Sequence, residues 1–197
     1  MIAAALIIIV GGGIAAFAYL AASNKTVYID KASVSAPLVQ LNPTQSGTLN
    51  AVYVSEGDTI PPGTVVAEVG TELIKSTSGG LVVTVNNNIG KSVTPADIIV
   101  ETIDPSQLRV VGQVQEDKGL TDIHVGDKAE FEVDAFGGKT FTGVVDSISP
   151  TAQSSDVVFN VSDQRQEQNF DVKVRYDTSA YPALKNGMSA KVWVYKQ

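Results

Sequence analysis

The side chains best placed to do chemistry lie between Asp122 and Asp134. Glu130, Glu132 and Asp134 alternate with Ala129, Phe131, Val133 and Ala135. On a strand this spacing puts three carboxylates on one face, with about 7 Å between successive Cα atoms. A carboxylate pair at such a separation can act on a glycosidic bond. The same pattern is the solvent face of a half-buried strand, and the apolar partners favour that reading. Asp122, His124 and Asp127 form a second group, with side chains that a divalent metal accepts. His124 is the sole histidine, so it would be the only nitrogen ligand, and a polar turn explains the three residues as well. Any Ser-His-Asp relay would also need His124, yet no Gly-x-Ser-x-Gly elbow is present. There is no phosphate-binding glycine loop; Gly11, Gly12 and Gly13 lie inside an apolar run. With no cysteine, thiolate zinc sites, disulfides and a cysteine nucleophile are excluded. The sequence therefore predicts no catalytic residue, no cofactor, no metal site and no enzymatic activity.

A chain of 197 residues, 44% hydrophobic, suits one large domain or two small ones. The net charge is −7 and no basic patch offsets it. Such a surface repels phosphate backbones, which argues against a nucleic-acid partner. Residues 2–22 carry no charge, and as a helix they would span about 30 Å, the thickness of a bilayer core. A single-pass membrane anchor over residues 1–25 is predicted. Ala16-Phe17-Ala18 has the form of a signal-peptide cleavage site, but no Lys or Arg precedes it and the apolar run continues beyond it. Lys25 and Lys31 follow the span, and a literal count of positive charges would place them in the cytoplasm. Two charges are a weak basis for orientation. The three glycines can pack helix on helix or simply face lipid.

Two phrases position whatever this chain does. "SGTLNAVYVSEGDTIPPGTVVAEV" begins at Ser46 and "SGGLVVTVNNNIGKSVTPADIIVETI" begins at Ser78. Aligned on their first glycines, Ser46-Gly47 matches Ser78-Gly79 and Leu49 matches Leu81. After one inserted residue, Gly57 matches Gly90, Ile60 matches Val93, Pro62 matches Pro95 and Glu68 matches Glu101. Pro62-Gly63 suits a type II turn, and Asn86 to Gly90 is rich in residues that accept left-handed backbone. The β-branched segments 49–54, 64–69, 81–85 and 97–103 are expected to be strands. One copy buries too little surface to fold alone, so two copies are expected to clasp around one core.

From Leu108 the pattern changes. The alternation at 128–135, a Gly137-Gly138 turn and a return strand over 141–148 predict a hairpin. Val172, Val174 and Tyr176 alternate with charged residues, and a last strand is expected over 189–195. A short helical turn is expected before Gly126. Together these suggest a small antiparallel β-barrel. Residues 151–169, enclosing Val157-Val158-Phe159, are expected to be a long loop or extended hairpin.

The doubled phrase resembles the biotinyl/lipoyl domain, a flattened sandwich of two related four-stranded halves. In carrier proteins of that family a lysine at the tip of the hairpin between the halves is modified. Here the joint is Gly70-Thr71-Glu72, and the nearest lysine, Lys75, lies beyond the tip on the strand entering the second half, with no Met-Lys-Met motif. The second half resembles the β-barrel domain of membrane fusion proteins, the periplasmic adaptors of efflux and secretion systems. The matching residues are Leu108-Arg109-Val110, Asp122-x-x-Val125-Gly126, Phe141-x-Gly143-x-Val145-x-x-Ile148-x-Pro150 and Leu184-x-x-Gly187-Met188-x-Ala190-x-Val192. The resemblance implies a mainly β chain in three parts: an anchor over 1–25, a lipoyl-like barrel-sandwich hybrid over 26–107 with half-repeats at about 44–70 and 76–104, and a β-barrel over 108–197. Residues 26–34 can alternatively pair near the barrel. The resemblance further implies extracytoplasmic β domains, self-association, and an inner-membrane transporter partner of the ABC type. The long helical hairpin of many adaptors is missing between the halves, which weighs against a coiled-coil contact with an outer-membrane duct. The other readings are a carrier domain modified on Lys75 and a solitary anchored protein that binds a ligand.

Overall fold

A computed structural model describes residues 25–154 and 168–196. The expected membrane span and the Val157-Val158-Phe159 patch lie outside the described residues. Among those described there are fifteen strands and three short 3-10 turns, and no helix is long and apolar enough to cross a membrane. The chain divides into two compact units. One is Ser35–Leu108 with Thr178–Pro182; the other holds Arg109–Asp177, Ala183–Gln197 and the strand that precedes Ser35.

The first unit is a sandwich. Its strands are β2 (Leu38–Leu41), β3 (Gly47–Val52), β4 (Thr59–Ile60), β5 (Val65–Val69), β6 (Glu72–Lys75), β7 (Gly80–Val85), β8 (Ser92–Val93) and β9 (Val100–Ile103). They form two four-stranded sheets, in the orders β2-β9-β7-β4 and β6-β5-β3-β8. Each sheet thus takes two strands from each half of the repeat. Gly47 pairs with Val93, and Ile60 pairs with Gly80. The backbone bonds repeat in the same way. Gly57 N–H donates to Val82 O and Val82 N–H donates to Asp58 O, both at 2.9 Å; Gly90 N–H donates to Leu49 O at 2.8 Å and Leu49 N–H donates to Lys91 O at 2.9 Å.

These pairings fix the repeat at a constant spacing of 33 residues (47 to 80, 57 to 90, 68 to 101). The expected alignment of Gly47 with Gly79 and Leu49 with Leu81 is therefore one residue out, and no residue is inserted. Gly47 corresponds to Gly80, and Leu49 corresponds to Val82, both of them fully buried, whereas Leu81 is only partly so. The halves also start earlier than expected, because the edge strands β2 and β6 are equivalent: Leu41 pairs with Val100 as Ile74 pairs with Ala67. The strand expected over 97–103 begins only at Val100, since Asp97 closes a turn. Leu49, Val66, Ala67, Val82, Ile99 and Val100 make up the dry centre of the sandwich. Burying each large aliphatic side chain there contributes about 1.5–3 kcal/mol.

One turn device recurs in both units. Ser55 N–H donates to Asp58 Oδ2 at 2.8 Å while Asp58 N–H donates to Ser55 O at 3.1 Å. Thr94 and Asp97 do the same at 2.7 and 2.9 Å, as do His124 and Asp127 at 2.7 and 3.1 Å. The carboxylate satisfies the amide at the start of the turn, which would otherwise lack a partner. The hydrogen bonds from Thr94, the backbone one foremost, hold the Asp97 carboxyl below its usual range.

The second unit is a closed barrel. Its strands are β1 (Thr26–Ser35), β10 (Arg109–Gln115), β11 (Lys128–Val133), β12 (Thr140–Ile148), β14 (Gln168–Arg175) and β15 (Ser189–Tyr195), in the order β10-β1-β15-β11-β12-β14, with β14 pairing back to β10. Closure leaves no free sheet edge in the ring. The short strand β13 (Gln153–Ser154) pairs with the start of β14, so the two ends of the segment expected to be a loop or hairpin meet in a ladder. Residues 26–34, assigned to the first β domain in the expected division at 26–107, pair instead with the last strand: Val27 faces Val194 and Ile29 faces Val192. Val34 N–H donates to Met188 O and Gly187 N–H donates to Val34 O, both at 2.8 Å, tying β1 to the closing Gly187-Met188 motif. Phe131 lies at the centre, 5.4 Å from Phe141 and 5.5 Å from Tyr176 between ring centroids. Strand β11 stops at Val133, and Asp134–Phe136 turn as a 3-10 helix, so Ala135 is exposed and not on the inner face.

The interlock predicts an asymmetry between two equivalent glycines. A Cβ on Gly80 would lie 2.6 Å from the Ile103 carbonyl oxygen, a backbone atom held in the ladder, whereas on Gly47 the nearest atom is the Val69 Cγ1 methyl at 3.0 Å. Gly80→Ala is expected to destabilise the sandwich by about 1–3 kcal/mol, and Gly47→Ala by less, as measured by urea denaturation.

Candidate functional site

Alternation along β1, β15, β11 and β12 turns one face to the core and the other to solvent. Across the solvent face runs a row of Tyr28, Trp193, Glu130 and Thr142, one residue from each strand. The Tyr28 and Trp193 rings are 5.3 Å apart and tilted by 36°. Tyr28 Oη donates to Asp30 Oδ1 at 2.8 Å, and Tyr195 Oη donates to Glu130 Oε2 at 2.8 Å. Tyr28 is 50% exposed and Tyr195 is 39% exposed. The phenol of Tyr28 is held above its ordinary range, chiefly by the bond to Asp30, with smaller contributions from the charges of Asp134 and Glu132. The Tyr195 phenol is raised chiefly by its bond to Glu130.

Beside this row lies an open groove of about 770 Å³, lined among others by Lys128, Glu130, Thr142, Val144, Arg175 and Tyr195. Its charges are of both signs. Arg175 Nε lies 3.6 Å from Asp146 Oδ1, and Arg109 Nε donates to Asp146 Oδ2 at 3.0 Å. Such a surface can hold extended or charged partners.

Of the residues that the sequence singled out, His124 and Asp127 are brought together, with His124 Nδ1 3.9 Å from Asp127 Oδ2, and the rest are not gathered with them. Glu130 accepts from Tyr195, and Glu132 stands opposite Lys191 across the strand pair. Asp134 has left the strand, so the three carboxylates do not form one row. Asp122 pairs with Lys196 at 2.7 Å, His124 is exposed, and Asp127 is buried as the closer of its turn. Among the described residues no group of three or more potential ligands gathers at a metal site. Lys75 ends β6, opposite Val65, while Gly70 and Thr71 form the hairpin tip. The aromatic residues of the outer face escaped the sequence reading. Their signal was present, since Trp193 and Tyr195 occupy the polar phase of the alternation in which Val192 and Val194 point inward.

No protein-family model and no curated protein matches the sequence. Solved structures do match over nearly the whole chain. ZneB from Cupriavidus metallidurans superposes with a TM-score of 0.67 at 15% identity, covering 88% of this chain and 99% of that one. A MacA–MexA chimera containing the Pseudomonas aeruginosa MexA α-hairpin domain gives a TM-score of 0.71 at 14% identity, over 88% and 79%. The membrane fusion protein Spr0693 from Streptococcus pneumoniae R6 gives 0.62 at 16%, over 87% and 99%. At these identities the likeness is one of fold: this chain has the fold of membrane fusion and periplasmic adaptor proteins.

The tyrosine–carboxylate pair predicts a titration. Glu130→Gln removes the negative acceptor that opposes ionisation of Tyr195, so in this variant one phenol should titrate at lower pH than in the unaltered chain. Ultraviolet difference titration between pH 8 and about pH 12 measures it; identical curves would contradict the assignment.

Proposed function

We propose that this chain is the adaptor subunit of a membrane transport system, a membrane fusion protein that links components and does no catalysis. The observation that carries the reading is that a pseudo-symmetric sandwich and a six-stranded barrel occur in one chain, and that structures described as adaptors or membrane fusion proteins match 87–88% of it. The residues that could have argued for an enzyme support it too, since each has a structural partner or stands apart from the others. In this reading residues 1–25 form a single-pass anchor. Both β units stand on the extracytoplasmic side, copies associate, and the principal partner is an inner-membrane transporter. An ABC-type transporter and a role in efflux or secretion follow from the family resemblance alone. The tip of the hairpin between the halves bears no lysine, which favours an adaptor over a carrier domain.

Cross-linking of the full-length chain in native membranes, followed by purification in mild detergent, tests the reading. The expected result is recovery of a polytopic transporter together with cross-linked copies of this chain. Recovery of neither would overturn it.

A further inference from the structure

We infer that the outer barrel face around Tyr28 and Trp193 docks an arginine-bearing segment of a protein partner. This deepens the adaptor reading and rests on it for the existence of a partner. Tyr28 and Tyr195 are exposed, and Trp193 half-buried beside Tyr28, on a sheet face whose inner side already fills the barrel core. Both tyrosine hydroxyls are committed as donors to Asp30 and Glu130, which restrains the side chains. Glu132 and Asp134 are close enough for their charges to act on the Tyr28 phenol. Lys191 lies opposite Glu132 and offsets part of this charge, yet none of the salt bridges among the described residues involves Asp30, Glu130, Glu132 or Asp134.

Aromatic rings beside carboxylates that form no salt bridge call for a cation with a flat face. A guanidinium meets both demands: it stacks on the rings and its N–H groups bond carboxylate oxygens. A lysine ammonium meets the charge but cannot stack in the same way. Anionic lipid headgroups and nucleic acid are repelled by the same carboxylates. Ordered aromatic anchors with charge complementarity are the usual make-up of a binding hot spot.

Trp193 is the only tryptophan, so its fluorescence reports this face alone. The full chain in neutral detergent is titrated with the peptide acetyl-Gly-Arg-Gly-Arg-Gly-amide and with its lysine and glutamate counterparts. The expected result is a saturable change with the arginine peptide, a weaker one with lysine and none with glutamate. Tyr28→Ala, and separately the pair Asp30→Asn with Glu132→Gln, should each weaken arginine-peptide binding on the order of tenfold while circular dichroism stays unchanged. No saturable response, or an equal response to the glutamate peptide, overturns the inference. A second arm reconstitutes the chain in dibrominated phosphatidylcholine vesicles. Strong bromine quenching of Trp193 would assign the face to lipid and also overturn it. Recovery of a transporter without peptide binding would remove this surface and leave the adaptor reading standing; peptide binding with neither a transporter nor cross-linked copies recovered supports the surface and removes that reading.

Discussion

The sandwich depends on one constraint: neither half of the repeat can complete a sheet without the other. Strand β3 needs β8 from the second half, and β7 needs β4 from the first. Four backbone hydrogen bonds, donated by the N–H groups of Leu49, Gly57, Val82 and Gly90, close this clasp at 2.8–2.9 Å. A half taken alone would leave those polar groups without sheet partners and open Leu49 or Val82 to water. About thirty residues cannot offset that loss with a core of their own. Doubling the phrase is thus a requirement of stability. The hairpin tip between the halves is tied to the sheet of β3: Gly70 N–H donates to Thr48 O at 2.8 Å, and Gly70 O accepts from Asn50 Nδ2 at 2.7 Å.

The barrel solves the same problem by closure. Its ring is completed by β1, contributed from the far end of the sequence, with Thr26 opposite Tyr195. The chain therefore enters this unit, leaves it to build the sandwich, and returns to finish it. A closed ring also frees the outer surface. With the inward residues of β11, β12 and β15 packed around Phe131, the outward set can carry aromatic and acidic side chains at little cost to the fold. That division between inner and outer faces is what suits the chain to the linking role proposed for it.

Much of this architecture was legible in the residues. Gly57 and Gly90, and Pro62 and Pro95, fall at the true repeat spacing because turns constrain residue type strongly; Glu68 and Glu101, on β5 and β9, keep the same spacing. The start of the repeat slipped by one position because Ser78-Gly79-Gly80 offers two glycines, and the pairing of Gly80 with Ile60 shows which one matches Gly47. The edge strand β2 was invisible for a different reason: it is short, and its outward positions are polar or exposed, as Gln40 shows; β6 was legible as the strand that carries Lys75 into the second half, but not as the start of the repeat. Strand β1 resisted assignment because its partner is distant in sequence, and local pattern carries no information on non-local pairing. The carboxylates of β11 were legible as a solvent face, whereas their tyrosine partners lie on other strands and required coordinates.

Native-state hydrogen exchange at residue resolution tests the clasp most directly. The amides of Leu49 and Gly57 belong to the first half, and those of Val82 and Gly90 to the second. If the halves stand only together, all four exchange through one opening with the same free energy, and Val82→Ala lowers all four equally. Protection that differs between the halves, or that falls in one half alone in the variant, would show that a half folds by itself and would contradict the account.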